Sequence, residues 1–188
     1  SKPLLFLHKQ YFFNLIPYLY LMQLHKINQY IEQYKTYLKS FEASKKRLHY
    51  WESQRIWQEN WDTDAIDWVQ MYDHSLQNST TNRLWKREAY DPKLMMLAFL
   101  DMDQHFVISM FNDLFNEDLE VHGRADRFSF YCDQLLAQFR KNKPMNKATG
   151  HHHADGYQII SIYLSFQFPE LYAPYHADQF IDLLRKIG

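Results

Sequence analysis

The sequence predicts an all-α fold, a multi-helix bundle with a long N-terminal helix. Three observations predict it. Apolar residues recur at alternating steps of three and four over most of the chain. Only 4 of 188 residues are Gly and 6 are Pro, which leaves little material for hairpins. No stretch alternates apolar with polar residues for more than a few positions, so no strand pattern competes.

The longest stripe is Leu24, Ile27, Ile31, Tyr34, Leu38, Phe41 and Leu48, broken only by Lys45. It predicts one helix over roughly residues 22–59. Asn60 to Asp64 interrupts it. Asp62 or Thr63 is the expected cap of a second helix through Leu76, with Ile66, Val69 and Tyr72 inward. Gln77 to Asn82 is a polar loop. Asp91-Pro92 places an N-cap acceptor before a proline at the first helical position, a strong start signal. Leu94, Leu97, Ala98 and Met102 follow as its inner face. Asp103 restarts a helix with Phe106, Met110, Phe111 and Leu114 inside. Asp118 is the expected cap of the next, which carries Val121, Ala125, Phe128, Cys132, Leu135 and Phe139 and ends at Lys141-Asn-Lys-Pro144. A polar, histidine-rich loop reaches Gly156. Helices near 156–168 (Ile159, Tyr163, Phe166) and 176–187 (Phe180, Ile181, Leu184, Ile187) complete the chain.

Composition narrows the class. Hydrophobic residues make up 46% and aromatics 18%, enough for a sizeable core and too much for disorder. The net charge of -1 gives no global field for a polyanion, so any such site is a local patch. One cysteine, Cys132, excludes an internal disulfide. Its neighbours Tyr131 and Leu135 suggest a packed thiol, and the expected location is cytoplasmic. Residues 1–21 are rich in Leu, Phe and Tyr, but His8, Lys9, Gln10 and Asn14 interrupt them and Pro17 breaks them. A spanning helix needs ~20 mostly apolar residues. The expectation is an apolar extension that packs or swaps, with no membrane partner. Residues 22–188 then form a single helical domain, with 22–83 an arm and 84–188 its globular part.

Candidate chemistry is sparse. His151-His-His153 with Asp155 offers metal-ligating atoms, yet consecutive histidines do not easily face one ion, and no cysteine stands at a zinc-site spacing. A solvated loop is the expectation, with no cofactor and no metal. Asp91-Pro-Lys93 matches the tail of a nuclease motif, but that chemistry needs neighbouring strand positions, and here proline marks a helix start. Asp101 with Asp103, and Glu117 with Asp118, are explained as caps. No Gly-x-Ser-x-Gly and no phosphate loop is present, so the chain reads as non-enzymatic.

The basic residues form a candidate nucleic-acid site. Lys45, Lys46 and Arg47 are followed by Trp51 and Arg55, and later by Arg83, Trp85, Lys86 and Arg87. A third cluster is Arg140, Lys141, Lys143 and Lys147. Cations fix phosphates and an exposed tryptophan stacks on bases. The competing reading is a solvated helix face, with the tryptophans as packing.

Four segments carry a resemblance. They are Leu84-Trp-Lys-Arg-Glu-Ala-Tyr-Asp-Pro-Lys-Leu-Met-Met96; Phe111-Asn-Asp-Leu-Phe-Asn-Glu117 with Leu119 and Arg124 to Phe128; His153-Ala-Asp-Gly156; and Ile160-Ser-Ile-Tyr-Leu164 with Phe168-Pro-Glu-Leu-Tyr172 and Tyr175. In this order, over roughly residues 60–188, the chain resembles the N-terminal region of McrB-type (methylcytosine-specific) restriction ATPases. It lacks the Gly-x-x-x-x-Gly-Lys-Ser/Thr loop of their motor. The resemblance implies a sensing or adaptor domain in DNA defence, either excised or free-standing. Its partners would be DNA and a restriction-system motor or nuclease subunit. The alternative is a helical protein–protein interaction module. In that reading the stripe of 24–48 pairs with a second copy to form a homodimer, or with another protein, and nucleic acid has no role; the expected role of the stripe itself is a seam within its own bundle.

Overall fold

All regular structure among the described residues is helical. The computed structural model describes residues 24–77, 92–144, 150, 151, 153 and 155–187, and of 41–49, 155 and 187 the backbone only. The helices are α1 (Leu24–Leu38), α2 (Phe41–Asn60), α3 (Trp68–Ser75), α4 (Pro92–Met102), α5 (Gln104–Leu114), α6 (Val121–Asn142), α7 (Gln158–Gln167) and α8 (Ala177–Ile187). A short 3-10 turn, Asp155–Tyr157, leads into α7. The all-α expectation holds. The chain divides into two compact units, residues 1–46 with 176–188, and residues 47–175.

The long N-terminal helix is two helices. The break falls at Lys39 and Ser40, where the Lys39 and Ser40 amides turn back to Thr36 and Tyr37. The Ser40 hydroxyl also donates to the Tyr37 carbonyl at 2.6 Å. A serine that bonds the backbone locally competes with the helical ladder, and here it accompanies the stop.

In the 47–175 unit the core is built on Phe111 in the last turn of α5. Its ring lies 5.2 Å from Phe128 and 5.4 Å from Tyr163, and within 6.2 Å of Trp68 and Tyr72. Trp57 stacks on Trp61 at 4.0 Å. Trp57, Trp68, Tyr72, Phe99, Phe111, Phe128, Tyr163 and Phe166 are all buried. Such a group of aromatic rings is the dominant apolar contribution of the domain.

Caps fix where the helices begin. Asp103 accepts the Phe106 amide at 3.0 Å, as expected. Two caps differ from expectation. Asp67 caps α3 by accepting the Gln70 amide at 2.9 Å, in place of Asp62 or Thr63. Glu120 caps α6 by accepting the Gly123 amide at 3.0 Å, in place of Asp118. The Gly123 and His122 amides hold the Glu120 carboxyl below its ordinary value.

Three inner positions also differ. Ile66 was expected inside and is almost fully exposed, because it precedes the cap and lies outside the helix it was assigned to. Leu94 is exposed at 62%, while Met95, Met96, Phe99 and Leu100 are buried. Helix α4 is apolar on nearly every position, so its period does not select a face. Val121 is also exposed, on the first turn of α6.

The end of α7 is finished by side chains of α2. Gln54 donates to the Ser165 carbonyl at 3.0 Å, and Gln58 donates to the Phe166 carbonyl. Trp57 Nε1 donates to the Gln167 side-chain oxygen at 2.9 Å. The last four carbonyls of any helix lack partners within it; α2 supplies donors to those of Ser165 and Phe166, and the Phe168 amide takes that of Leu164.

In the other unit, α1 buries none of its residues. Leu24 is exposed at 73%, and Ile31 and Tyr34 at 45% each. On α8, Phe180, Ile181 and Leu183 are likewise exposed. No helix among the described residues is long and apolar enough to cross a membrane, and residues 1–21 lie outside them.

Candidate functional site: a buried cysteine–histidine centre

The histidine-rich loop is not a solvated loop at His151 and His153. Both are buried, at 3% and 0% exposure. Each is anchored by polar bonds, which is what makes burial of an imidazole affordable. His151 Nε2 lies 3.1 Å from Asp133 Oδ1 on α6. The backbone amide of His153 donates to His151 Nδ1 at 3.1 Å. An amide only donates, so Nδ1 carries a lone pair and the ring is neutral, with its proton on Nε2 facing Asp133. His153 Nε2 lies 3.2 Å from the Tyr163 hydroxyl on α7, and Tyr163 meets the Tyr72 hydroxyl of α3 at 2.7 Å.

Cys132 closes the centre. It sits mid-way along α6, fully buried. One ligand atom from each of Cys132, His151 and His153 lies within 4.8 Å of the other two. Aromatic rings wall the group: Phe128 lies 6.0 Å from the His153 ring and Phe99 6.5 Å from that of His151. Burial, helped by the Asp133 charge, pushes the Cys132 thiol well above its ordinary range. A thiol buried in this way holds its proton more tightly than an exposed one and is the weaker nucleophile.

A second polar network lies 114–172. Arg124 is buried on α6. It donates to the Leu114 carbonyl at 2.7 Å, to Glu117 at 2.6 Å and to the Tyr172 hydroxyl at 2.9 Å. Tyr172 in turn donates to Glu117 at 2.8 Å. Burial opposes the Arg124 charge, but Glu117 and Tyr172 outweigh it and its pKa is raised. Glu117 was read as a cap; its carboxylate is instead the counter-ion of Arg124.

The predicted nucleic-acid residues are only partly placed. Arg83, Trp85, Lys86 and Arg87 lie outside the described residues, and so do the side chains of Lys45, Lys46 and Arg47 on α2. Trp51 is 45% exposed, one turn before Arg55. Arg55 is exposed and pairs with Glu59 at 3.2 Å. From the third cluster, Lys143 lies over the Phe139 ring at 5.4 Å. Lys93, the nuclease-like lysine, pairs with Asp73 at 2.8 Å and also reaches its carbonyl.

The sequence pattern set His151 and His153 together and Cys132 apart as a packed thiol, and the convergence of the three was missed. Cys132 is 19 residues from His151, outside any short zinc spacing.

Comparison of the chain with protein-family models, with curated proteins and with solved structures finds no match in any of the three.

Proposed function

We propose that this protein is a non-catalytic helical interaction module that pairs with a second copy of itself through α1. The observation that carries this reading is the exposure of Leu24, Ile31 and Tyr34 on a helix that buries none of its residues. They follow the three-and-four spacing with which one helix seams against another. Their contact in a dimer removes apolar surface from water at roughly 25 cal/mol per Å². The test is Ile31→Glu combined with Tyr34→Glu. The unchanged chain is expected to be a dimer by sedimentation and the double variant a monomer with its thermal transition retained. A chain that is monomeric at all concentrations contradicts this reading.

A second reading keeps the DNA-associated sensing or adaptor role implied by the likeness to McrB-type N-terminal regions. Exposed Trp51 beside exposed Arg55 favours it, since a flat ring and a guanidinium one turn apart suit base and phosphate. Against it, Arg55 shares its charge with Glu59. Binding to DNA that weakens steeply with salt, and weakens further in Lys46→Glu with Arg47→Glu, supports it. Absence of binding at low salt removes it.

A further inference from the structure

We infer that Cys132, His151 and His153 form a binding site for a single divalent transition-metal ion of the zinc class. The donor set carries this: one thiol and two imidazoles, all buried, with one ligand atom of each within 4.8 Å of the others. Sulfur with nitrogen is the set that zinc selects over harder cations such as magnesium or calcium. Tetrahedral zinc holds sulfur at about 2.3 Å and nitrogen at about 2.0–2.1 Å, so its ligand atoms stand about 3.3–3.7 Å apart. The trio must therefore draw in by about 1 Å. Two of its members lie on the segment before the 3-10 turn and the third on α6.

The surroundings match a metal site beyond the ligands. Asp133 holds His151 Nε2–H, the carboxylate–histidine arrangement that orients an imidazole toward a metal through its other nitrogen. Tyr163, itself bonded to Tyr72, meets His153 Nε2 in the same way. Coordination through His151 Nδ1 replaces the hydrogen bond that this atom now takes from the His153 amide. On binding, the Cys132 thiol loses its proton to solvent and the thiolate sulfur becomes a ligand. Three protein ligands leave the fourth position of a tetrahedron to water or to a small anion.

Cobalt(II) titration of the full chain tests the site, with absorbance as the readout. Cys132 is the only cysteine, so a thiolate-to-cobalt charge-transfer band reports this residue alone. The expected result is one Co²⁺ per chain, an intense near-ultraviolet band with tetrahedral visible bands, and their loss on adding Zn²⁺. Cys132→Ser abolishes the charge-transfer band. His153→Ala lowers Co²⁺ affinity, and Asp133→Asn, which weakens the partner of His151 and also removes a negative charge beside Cys132, lowers it about tenfold. His152→Ala leaves the band in place. A folded chain, verified by circular dichroism, that shows no such band at saturating Co²⁺ overturns the inference. So does cobalt or nickel binding that is lost in His152→Ala and carries no thiolate band, because that is adventitious capture by the histidine run.

Discussion

Arg124 on α6 donates to the hydroxyl of Tyr172 at 2.9 Å, and both reach the carboxylate of Glu117. This joins the turn after α5, the first turns of α6 and the segment after α7 through one buried cation. A buried guanidinium needs hydrogen-bond partners, and here a carbonyl and a carboxylate take Nη1 and a phenol takes Nη2, while Nε has no partner among the described residues. Arg124→Ala strands Glu117 beside a desolvated carbonyl and is expected to destabilise the fold by about 3 kcal/mol. Tyr172→Phe removes one hydroxyl and costs about 1 kcal/mol. Urea denaturation of the two variants checks the ranking; equal losses would mean that the phenol, not the cation, organises the junction.

Gln54 and Gln58 close the C-terminal end of α7. Replacing Gln58 with Ala returns the Phe166 carbonyl to a half-buried site without its donor. A loss of about 1 kcal/mol is expected, with unchanged helical signal. Gln58→Glu costs more, since a carboxylate meets the negative end of the helix dipole. Thermal unfolding of both variants distinguishes the two effects.

Gly156 and Tyr157 both adopt positive φ, 57° each. That conformation costs an L-residue about 1–2 kcal/mol. Gly156→Ala meets no atom within 4 Å, so its penalty is conformational alone and is expected in that range. Tyr157 already bears such strain, held by its hydroxyl donating to Asp126. Burial and that carboxylate push the Tyr157 phenol up to about 12. A folded-state pKa raised above the unfolded one gives stability that is complete below the unfolded value near 10 and lost as pH rises through about 12. Tyr157→Phe removes this alkaline loss, measurable as a flatter stability profile above about pH 10.

Asp73 gives the opposite sign. Burial raises its pKa, but the Lys93 and Gln77 hydrogen bonds and the Lys93 charge outweigh burial and hold it below the ordinary 3.8. Its contribution is present above that value and fades as pH falls through the lower folded value. The stability difference between the unchanged chain and Asp73→Asn, followed by urea denaturation, is expected to shrink on acidification below about pH 4. A difference constant with pH would show that the Asp73–Lys93 pair across α3 and α4 contributes no charge-dependent stability.

The helical class and much of the core were legible because period and caps agree there. Pro92 starts α4, Asp103 caps α5, and Phe111, Phe128, Leu135 and Tyr163 lie inside. Cap identity was less legible in the turns 60–67 and 116–120, which hold several acceptors, of which geometry aims only Asp67 and Glu120 at the helix amides. The face of α4 was hidden by its uniform apolarity. The cysteine–histidine centre was hidden because α6 and the 150–155 loop meet only in three dimensions, and the Arg124 network because its partners span residues 114 to 172. The exposed stripe of α1 was legible as a stripe; whether it faced inward could not be read from spacing alone.

Light scattering of the full chain across a concentration series, with and without DNA, tests the proposed function most directly. Pairing through α1 predicts twice the chain mass at high concentration, a shift toward the single-chain mass on dilution, and no response to DNA. A constant single-chain mass that rises only when DNA is added would contradict self-pairing and favour the nucleic-acid reading.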